Sequence, residues 1–380
     1  MGKNKRKELI DETLAKLRWL LLPFALLYGL VTYFRNKFYD WGIFRVKKFP
    51  VGVVSIGNLS VGGTGKTPLA EMLIRDFQHR ELQVAYLSRG YGRKTKGYLR
   101  VDPEEHTARE SGDEALQVAS KFPEIRVAVC ESRTTGVAKL LKEFPKLEVV
   151  VLDDAMQHRK IHRNLNITAI EAQRPPWKDF MLPVGRLREF ASGVRRADLV
   201  FVNKVLDVKT KRAYRKKMPK SELVFTRLER RGFLPFSPSG EPLELSDLNN
   251  RYCVAFSALG HNKQFYKGLR ELGLKVYRFY GFPDHHEYTQ NDLNRILRRF
   301  KQIQNDEVLV RPPIILTTEK DFVRLRKNDP FMEAAERYPF YYLEVYLRII
   351  KGEDKFDREV RKVLLRSVNA YKRAQEQENA

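Results

Sequence analysis

The sequence predicts an α/β protein with a mostly parallel sheet and a second, smaller α/β lobe. Three observations support this fold class. An apolar β-type run opens into a glycine-rich turn between Val53 and Pro68, strands then alternate with helices as far as about residue 204, and the alternation restarts at Tyr252. Strands that alternate with helices form parallel sheets whose two faces the helices cover.

Length and charge limit the classes of protein that fit. A chain of 380 residues, 43% hydrophobic, can form two compact domains with their own cores. Its 71 basic and 47 acidic residues give a net charge of +24, which indicates an anionic partner: a nucleic acid, an acidic membrane surface or a phosphorylated substrate. Cys130 and Cys253 are far apart without metal-type spacing, which argues against a disulfide scaffold and favours a reducing cytoplasm.

The first element is an apolar segment from Trp19 to Phe34, in which only Thr32 is polar. As a helix it would reach roughly 24 Å, short of the ~30 Å hydrocarbon core of a bilayer. Basic residues flank both ends and would keep both on the cytoplasmic side: Lys3, Lys5, Arg6, Lys7, Lys16 and Arg18 before it, and Arg35, Lys37, Arg45, Lys47 and Lys48 after it. We predict a monotopic helix held by apolar burial and anionic lipids; the alternative is a buried core helix.

The second element is the glycine-rich stretch VVSIGNLSVGGTGKTP, which is typical of a P-loop NTPase. Glycine can adopt positive φ and lets backbone N–H groups approach a polyphosphate, the lysine reaches the β/γ-phosphates, and the threonine hydroxyl binds Mg²⁺. The residues concerned are Gly62, Gly63, Thr64, Gly65, Lys66 and Thr67. Apolar residues spaced by four follow, so the loop should lie at a helix N-terminus. Ser60 stands where the standard pattern has glycine, and a turn that binds nothing is the alternative.

The following elements continue the alternation. Strands are predicted at 82–88, 125–129, 147–152 and 197–202, and helices at 114–122 and 134–144. Ligands of parallel sheets bind at the carboxyl ends of the strands. The glycine-rich stretch, the segment SRGYGRK and the pair Asp153-Asp154 all fall at such ends.

Several acidic residues are candidates for chemistry. Asp153 and Asp154 follow a buried strand, where a carboxylate holds Mg²⁺ directly or through water; a helix cap is the alternative. Asp113 stands at a helix start in SGDEAL, where capping competes with a general base for a weakly acidic hydroxyl, and composition alone favours capping. His285 follows Asp284, whose carboxylate could orient the imidazole or simply form a turn.

The order of elements predicts five regions. They are an N-terminal membrane-associating helix at 1–43, a P-loop core at 44–204, a connecting segment at 205–250, a smaller α/β lobe at 251–350 and a polar C-terminal tail at 351–380, helical or disordered from Asp357.

A set of motifs identifies a family. GNLSVGGTGKTP, SRGYGRK, SGDEA, LDDAMQHR, LPVGRLRE, GFPDHHEY and TTEKDFVRL occur in this order. From about residue 17 to 325 the chain resembles the tetraacyldisaccharide 4′-kinases, inner-membrane enzymes of lipid A biosynthesis. Ser60 fits this family, whereas Ala155 and Met156 stand where the family usually has glycine and an apolar or aromatic residue. FSALGHNKQF resembles a variant of a family segment rich in small residues.

The resemblance implies an activity and its residues. It implies transfer of the γ-phosphoryl group of ATP, with Mg²⁺, to the 4′-hydroxyl of a tetraacyl glucosamine disaccharide 1-phosphate. The family's base and its partner histidine fall on Asp113 and His285, which reverses the preference for capping, and Lys66 completes the catalytic set. Arg89 and Arg188 are candidates for phosphate or sugar contacts, with surface ion pairing as the alternative.

The implied acceptor is a lipid, which sets the expected location and partners. The enzyme would lie on the cytoplasmic face of the inner membrane as a peripheral, monotopic protein. Its expected partners are the lipid A disaccharide precursor and anionic inner-membrane lipids, with no nucleic acid and no obligate protein partner.

Two other classes of function stay open from the residues alone. A membrane-associated GTPase would need an Asn/Thr-Lys-x-Asp motif, and the run from Asn203 to Asp207 has one residue too many. A nucleic-acid-binding ATPase would use the positive charge, but it gives no reason for the apolar segment from Trp19 to Phe34.

Overall fold

A computed structural model describes residues 19–305 and 309–378, with side chains as far as residue 365. The chain forms two compact units, each discontinuous in sequence. The first unit comprises Met1–Val84, Arg133–Arg227 and Arg348–Ala380, and the second comprises Ala85–Ser132 and Leu228–Leu347. Thirteen strands of the described residues pair mostly in parallel, which confirms the predicted α/β class. The functional division into a core at 44–204 and a lobe at 251–350 stays a prediction.

The first unit contains a parallel array in the order β8, β7, β6, β1, β5. The strands are β1 (Gly52–Gly57), β5 (Val149–Leu152), β6 (Leu165–Glu171), β7 (Leu199–Asn203) and the start of β8 (Leu223–Pro235). The helices are Leu22–Asp40, Lys66–His79, Arg133–Glu143, Val208–Lys217 and Glu353–Glu378, with 3₁₀ turns at Pro176–Lys178 and Ala191–Arg196. All six residues of β1 are buried, because strands pair with both its edges and helices pack on it.

Strand β6, next to β1, is absent from the sequence prediction. Polar residues interrupt its apolar pattern, yet all seven residues are buried. The backbone N–H of Asn166 donates to Asp198 over 2.7 Å, and its side chain donates to the carbonyl of Arg196 over 2.8 Å. Glu171 pairs with Lys204 at 3.0 Å. These partners lie some 30 residues away, so buried polar groups are satisfied by contacts that periodicity does not reveal.

The helix Leu22–Asp40 lies on the surface of the first unit. Only Ala25, Gly29 and Tyr39 are buried, and a Cβ on Gly29 would come within 2.7 Å of the Phe190 ring, so small residues allow the close approach. Large apolar side chains here are exposed: Trp19, Leu20, Phe24, Leu26, Leu27, Leu30, Val31 and Phe34. The segment is therefore not a core helix.

Two further observations bear on membrane attachment. Among the helices of residues 19–305 and 309–378, none is both long and apolar enough to cross a bilayer. The basic residues predicted to precede the apolar segment lie outside the described residues: Lys3, Lys5, Arg6, Lys7, Lys16 and Arg18.

The second unit contains two groups of strands. β2 (Val84–Ser88, all but its first residue in this unit), β4 (Arg126–Val129) and β3 (Leu99–Arg100) form one group. The other group is β11 (Lys275–Gly281), β10 (Tyr252–Ser257), β12 (Ile314–Thr318) and β13 (Phe340–Lys351, in this unit as far as Leu347). The end of β8 pairs with β9 (Leu243–Glu244). Its helices are Ala108–Ser111, Asp113–Lys121, Asn262–Glu271, Gln290–Gln304, Glu319–Leu325 and Asp329–Ala335, with a 3₁₀ turn at Leu245–Leu248. The helices that begin at Asp113 and Glu319 pack together.

Candidate active site

The glycine-rich loop connects β1 to the helix Lys66–His79. Gly62 and Gly65 have φ of 107° and 85°, values that residues with a Cβ rarely adopt. A Cβ on Gly65 would also come within 2.9 Å of the Asn203 amide nitrogen. Gly65 is the N-cap of this helix, so the loop lies at a helix N-terminus. Backbone N–H groups and the helix dipole favour phosphate at such a position.

The end of β7 fixes the shape of this loop. The Asn203 amide donates to the carbonyl of Thr64 over 2.8 Å and accepts from Thr226 over 2.7 Å. Lys204 Nζ donates to the carbonyl of Gly63 over 3.2 Å. From the sequence this Asn-Lys pair fits only an incomplete guanine motif, and its contact with the loop was not predicted. Its position at the carboxyl end of a buried strand was the available signal.

Two predicted cations meet one carboxylate beside the loop. Asp154 lies 3.5 Å from Lys66 Nζ, and both its oxygens lie 2.9 Å from Arg188 Nη1. Arg188 is held there because its backbone N–H donates to the carbonyl of Leu59 over 2.7 Å. Burial by itself would raise the pKa of the Asp154 carboxyl, but the two cations outweigh burial and lower it. The arrangement holds two positive charges where a polyphosphate would need them.

The oxygen donors near the loop fit a magnesium ion. Asp153 directly follows the buried strand β5, and Arg133 fixes its backbone by donating to its carbonyl over 2.7 Å. Thr67 supplies a hydroxyl at the second residue of the helix. In the part of the chain that the structure describes, no group of three or more His, Cys, Asp or Glu side chains could hold a metal. Mg²⁺ needs only one or two carboxylates plus substrate phosphates and waters, so this donor set suits it.

In the second unit, four residues form what we call the aspartate cluster: Asp113, His285, Lys320 and Arg324. Asp113 Oδ2 lies 2.7 Å from His285 Nδ1, 2.5 Å from Arg324 Nη2 and 3.6 Å from Lys320 Nζ. Asp113 begins its helix directly after Gly112, whose φ of 84° makes the abrupt turn. His285 also has a positive φ, 60°, and its ring lies against Tyr91.

The electrostatics of the cluster keep Asp113 ionised. Burial by itself would raise the pKa of its carboxyl, but the hydrogen bonds from His285 and Arg324 and the charges of Arg324 and Lys320 hold that pKa well below its usual range. A carboxylate only accepts hydrogen bonds, so we assign the proton to His285 Nδ1. The contacts of His285, Arg324 and Lys320 with Asp113 are all made with its Oδ2 rather than its Oδ1.

Arg324 is fixed by a second, fully buried carboxylate. Its Nη1 donates to Asp321 over 3.1 Å and to the carbonyl of Ala258 over 2.9 Å, while Nη2 reaches Asp113. Burial raises the pKa of Asp321, although the positive charge of Arg324 acts to lower it. The segment TTEKDFVRL is one of the family motifs, but the sequence predicted no role for Lys320 or Arg324. Two cations at i and i+4 share a helix face, and that spacing was the available signal.

The structure thus brings the predicted residues together in two sets. Lys66, Asp154 and Arg188 meet in the first unit, and Asp113 and His285 meet in the second. Arg89 is exposed at the end of β2. His286, next to His285 in sequence, instead stacks on Phe282 and lies 3.0 Å from Asp292.

Arg324→Met is expected to move the acidic limb of the pH profile of kcat to higher pH. Without the guanidinium the pKa of Asp113 rises, so protonation removes the carboxylate at a less acidic pH. We expect about tenfold lower kcat at pH 8, because Arg324 no longer orients Asp113. The difference from the unaltered chain should increase as the pH falls. Arg324→Lys, which keeps the charge, should leave the limb near its original position.

Arg326→Met is the matched control for this experiment. Arg326 is the C-cap of the same helix, two residues after Arg324. It pairs with the exposed Glu104 rather than with Asp113. Identical pH profiles for Arg324→Met and the unaltered chain would show that Arg324 does not set the pKa of Asp113.

Comparisons with known proteins agree on one family. The model of the family described as tetraacyldisaccharide-1-P 4′-kinase matches residues 17–365. Among curated relatives, the tetraacyldisaccharide 4′-kinase of Bacteroides thetaiotaomicron is 37% identical over 373 residues, covering 92% of this chain and 94% of the relative. That of Phocaeicola vulgatus is 32% identical over 355 residues, covering 91% and 94%.

A solved structure gives the same result. The "apo" form of LpxK from Aquifex aeolicus, crystallised in complex with ATP, matches with a TM-score of 0.71 and 33% identity. The match covers 92% of this chain and 99% of that one.

Proposed function

The chain belongs to the tetraacyldisaccharide-1-P 4′-kinase family, and from this premise we propose how its residues transfer the phosphoryl group. The chain is an ATP-dependent kinase of lipid A biosynthesis, as the sequence predicted. It transfers the γ-phosphoryl group of ATP to the 4′-hydroxyl of a tetraacyl glucosamine disaccharide 1-phosphate. Such transfer depends on positioning and charge neutralisation more than on covalent chemistry.

The first unit holds the donor in this proposal. Backbone N–H groups from Gly62 to Thr67 would bind the β- and γ-phosphates, and Lys66 and Arg188 would neutralise their charge. The contacts that support this role are those of both cations with Asp154 at 3.5 and 2.9 Å. A bound polyphosphate would compete with that carboxylate for the same cations.

Mg²⁺ would be held by Thr67 and Asp153, with Asp154 as the second acidic candidate. When bound, the ion would neutralise negative charge on the phosphates of ATP. Asp153 is the stronger candidate because Asp154 already has two cationic partners.

The second unit holds the acceptor hydroxyl. The contact that carries this assignment is the 2.7 Å hydrogen bond between His285 Nδ1 and Asp113 Oδ2. With Oδ2 bound by His285 and Arg324, the other oxygen of Asp113 accepts the hydrogen bond of the 4′-hydroxyl and orients it. A carboxylate of such low pKa is a weak base, so it takes the proton late, as a loose transition state allows. Arg89 is proposed to contact the phosphate or sugar of the lipid.

The membrane location is also a proposal. The absence of a spanning helix from the described residues is consistent with peripheral attachment, and we propose the cytoplasmic face of the inner membrane. The exposed apolar side chains between Trp19 and Phe34 support it, because monomeric soluble proteins rarely expose large contiguous apolar patches.

The function is tested with labelled ATP and the tetraacyl disaccharide 1-phosphate in detergent micelles. We expect a product phosphorylated at the 4′-position, formed only with Mg²⁺. ATP should be preferred over GTP, because Asp207, the acidic residue nearest to a guanine motif, caps the helix Val208–Lys217 by accepting from the Thr210 N–H. Failure to form 4′-phosphorylated product would refute the function.

A further inference from the structure

The helix Val208–Lys217 in the first unit carries a dense positive charge. Between residues 208 and 220 the chain has seven basic residues and no acidic one: Lys209, Lys211, Arg212, Arg215, Lys216, Lys217 and Lys220. Like charges this close repel one another, so the helix loses stability unless an anionic partner covers it. The proposed mechanism uses none of these residues.

The outer face of this helix is cationic and its inner face is apolar. Tyr214 is 1% exposed and packs edge-on against Trp177, with ring centroids 4.7 Å apart. At 3.6 residues per turn, Arg212 and Lys216 lie opposite Tyr214, and both are exposed. In the described part of the chain neither has a salt-bridge partner, so the outer face is available to an external anion.

Two large apolar side chains accompany these cations. Leu206 is 74% exposed and Val208 is 70% exposed. Between them Asp207 caps the helix by accepting a hydrogen bond from the Thr210 N–H over 2.6 Å, which holds this turn in place. Exposed apolar residues next to a basic helical face are typical of segments that lie at a membrane interface.

The basic helix and the N-terminal helix cover the same part of the core. Tyr214 and Met218 belong to the same apolar cluster as Ala25, against which Leu21 and Leu22 also pack. The ring of Trp19 contacts Phe180, with centroids 5.6 Å apart, and Phe180 is only three residues from the Trp177 that contacts Tyr214. Three residues span at most about 11 Å, so the N-terminal segment and the inner face of the basic helix meet the same short stretch of chain.

We propose that the segment from Leu206 to Lys220 is a second membrane contact, which binds anionic lipid head groups beside the N-terminal helix. The proposal extends the peripheral attachment given above and rests on it. Leu206 and Val208 enter the interface, while Arg212 and Lys216 approach the head groups. Each basic residue near an anionic surface strengthens binding about fivefold at low salt. A nucleic acid would pair with the cations but leaves the adjoining apolar side chains without a role.

The test compares binding of full-length variants to vesicles by sedimentation. Vesicles contain phosphatidylcholine alone or with about one third phosphatidylglycerol, which supplies the anionic charge. We expect Arg212→Gln/Lys216→Gln/Lys217→Gln to weaken binding to the anionic vesicles at least tenfold at low salt, and to leave binding to neutral vesicles unchanged. Leu206→Ser/Val208→Ser should weaken binding to both.

The matched control removes the same charge from exposed positions in the second unit, through Lys263→Gln/Arg270→Gln/Arg298→Gln. We expect its binding to stay within about twofold of the unaltered chain. An equal loss in this control would mean that net charge alone acts, and would overturn the proposal. The proposal would also be overturned if the triple helix variant bound vesicles as well as the unaltered chain does. The same holds if this variant lost binding to duplex DNA instead of binding to anionic vesicles.

A kinase assay separates this proposal from the proposed function. In detergent micelles the triple helix variant should keep full activity, because none of its changes touches the loop or the aspartate cluster. Its Tm should be no lower than that of the unaltered chain, because the changes remove repulsion between like charges. With acceptor embedded in anionic vesicles its activity should fall at least tenfold. Absence of product from the unaltered chain in micelles would instead refute the function itself.

Discussion

Asp113→Asn is expected to lower kcat for 4′-phosphorylation by roughly 10²–10⁴-fold. The amide has nearly the same shape, but it carries no charge and cannot take up the proton of the acceptor hydroxyl. It also ends the ionic attraction to Arg324, 2.5 Å away, and the charge-assisted hydrogen bond from His285. The KM for ATP should stay within about threefold, because the residues proposed to bind ATP lie in the first unit. Steady-state kinetics with both substrates varied measure the two effects.

Two checks distinguish lost chemistry from lost structure. Glu114→Gln removes a neighbouring carboxylate that also pairs with Lys320, at 3.0 Å, and should change kcat by less than about threefold. Asp113→Asn leaves Arg324 and Lys320 short of one negative charge, so it should lower the free energy of unfolding by up to about 3 kcal/mol. Full activity in a folded Asp113→Asn variant would remove Asp113 from the mechanism.

Lys66→Ala is expected to lower kcat by about 10²–10³-fold and to raise the KM for ATP. The ammonium is proposed to stabilise charge on the β- and γ-phosphates in the transition state, which is worth about 3–4 kcal/mol for a preorganised donor. In the absence of nucleotide, Arg188 still neutralises Asp154 at 2.9 Å, so the variant should remain folded. Single-turnover kinetics with saturating ATP isolate the effect on the chemical step.

Arg75→Gln is the matched control, because it also removes a cation from the helix Lys66–His79. The carboxylate near Arg75 is Glu71 on the same helix, not a residue at the phosphate loop. Its kcat and KM should stay within about twofold. Lys66→Arg keeps the charge but changes its reach and geometry, and should recover only part of the loss. If Lys66→Ala and Arg75→Gln showed the same kinetics, the proposed role of the loop lysine would be wrong.

The loop and the fold class could be predicted because their signals are local. A buried strand, glycines at positions that need positive φ, and a helix with apolar residues spaced by four all lie within some 25 residues, and the structure has β1, Gly62, Gly65 and the helix Lys66–His79 there. Strand β6 could not be predicted in the same way. Its Asn166 is buried only because Asp198 and Arg196 satisfy it.

The candidate site shows the same limit. Periodicity placed Asp113 at a helix start, where capping was the simpler explanation, and only the family resemblance assigned it chemistry. The structure adds His285, Lys320 and Arg324 around its carboxyl, from segments some 170 to 210 residues away. Their charges decide the pKa of Asp113, and no local pattern contains that information.

The sequence by itself determined the phosphate loop, the alternation of strands and helices, the apolar N-terminal segment and the family. These features depend on residue type and spacing over one or two elements, which periodicity and backbone preference record directly. Tertiary structure alone decided which carboxylates are paired and which cations hold them. It also decided that the basic helix Val208–Lys217 and the apolar helix Leu22–Asp40 pack on one apolar cluster. Such relations depend on distances between residues far apart in the chain, which packing fixes and composition does not.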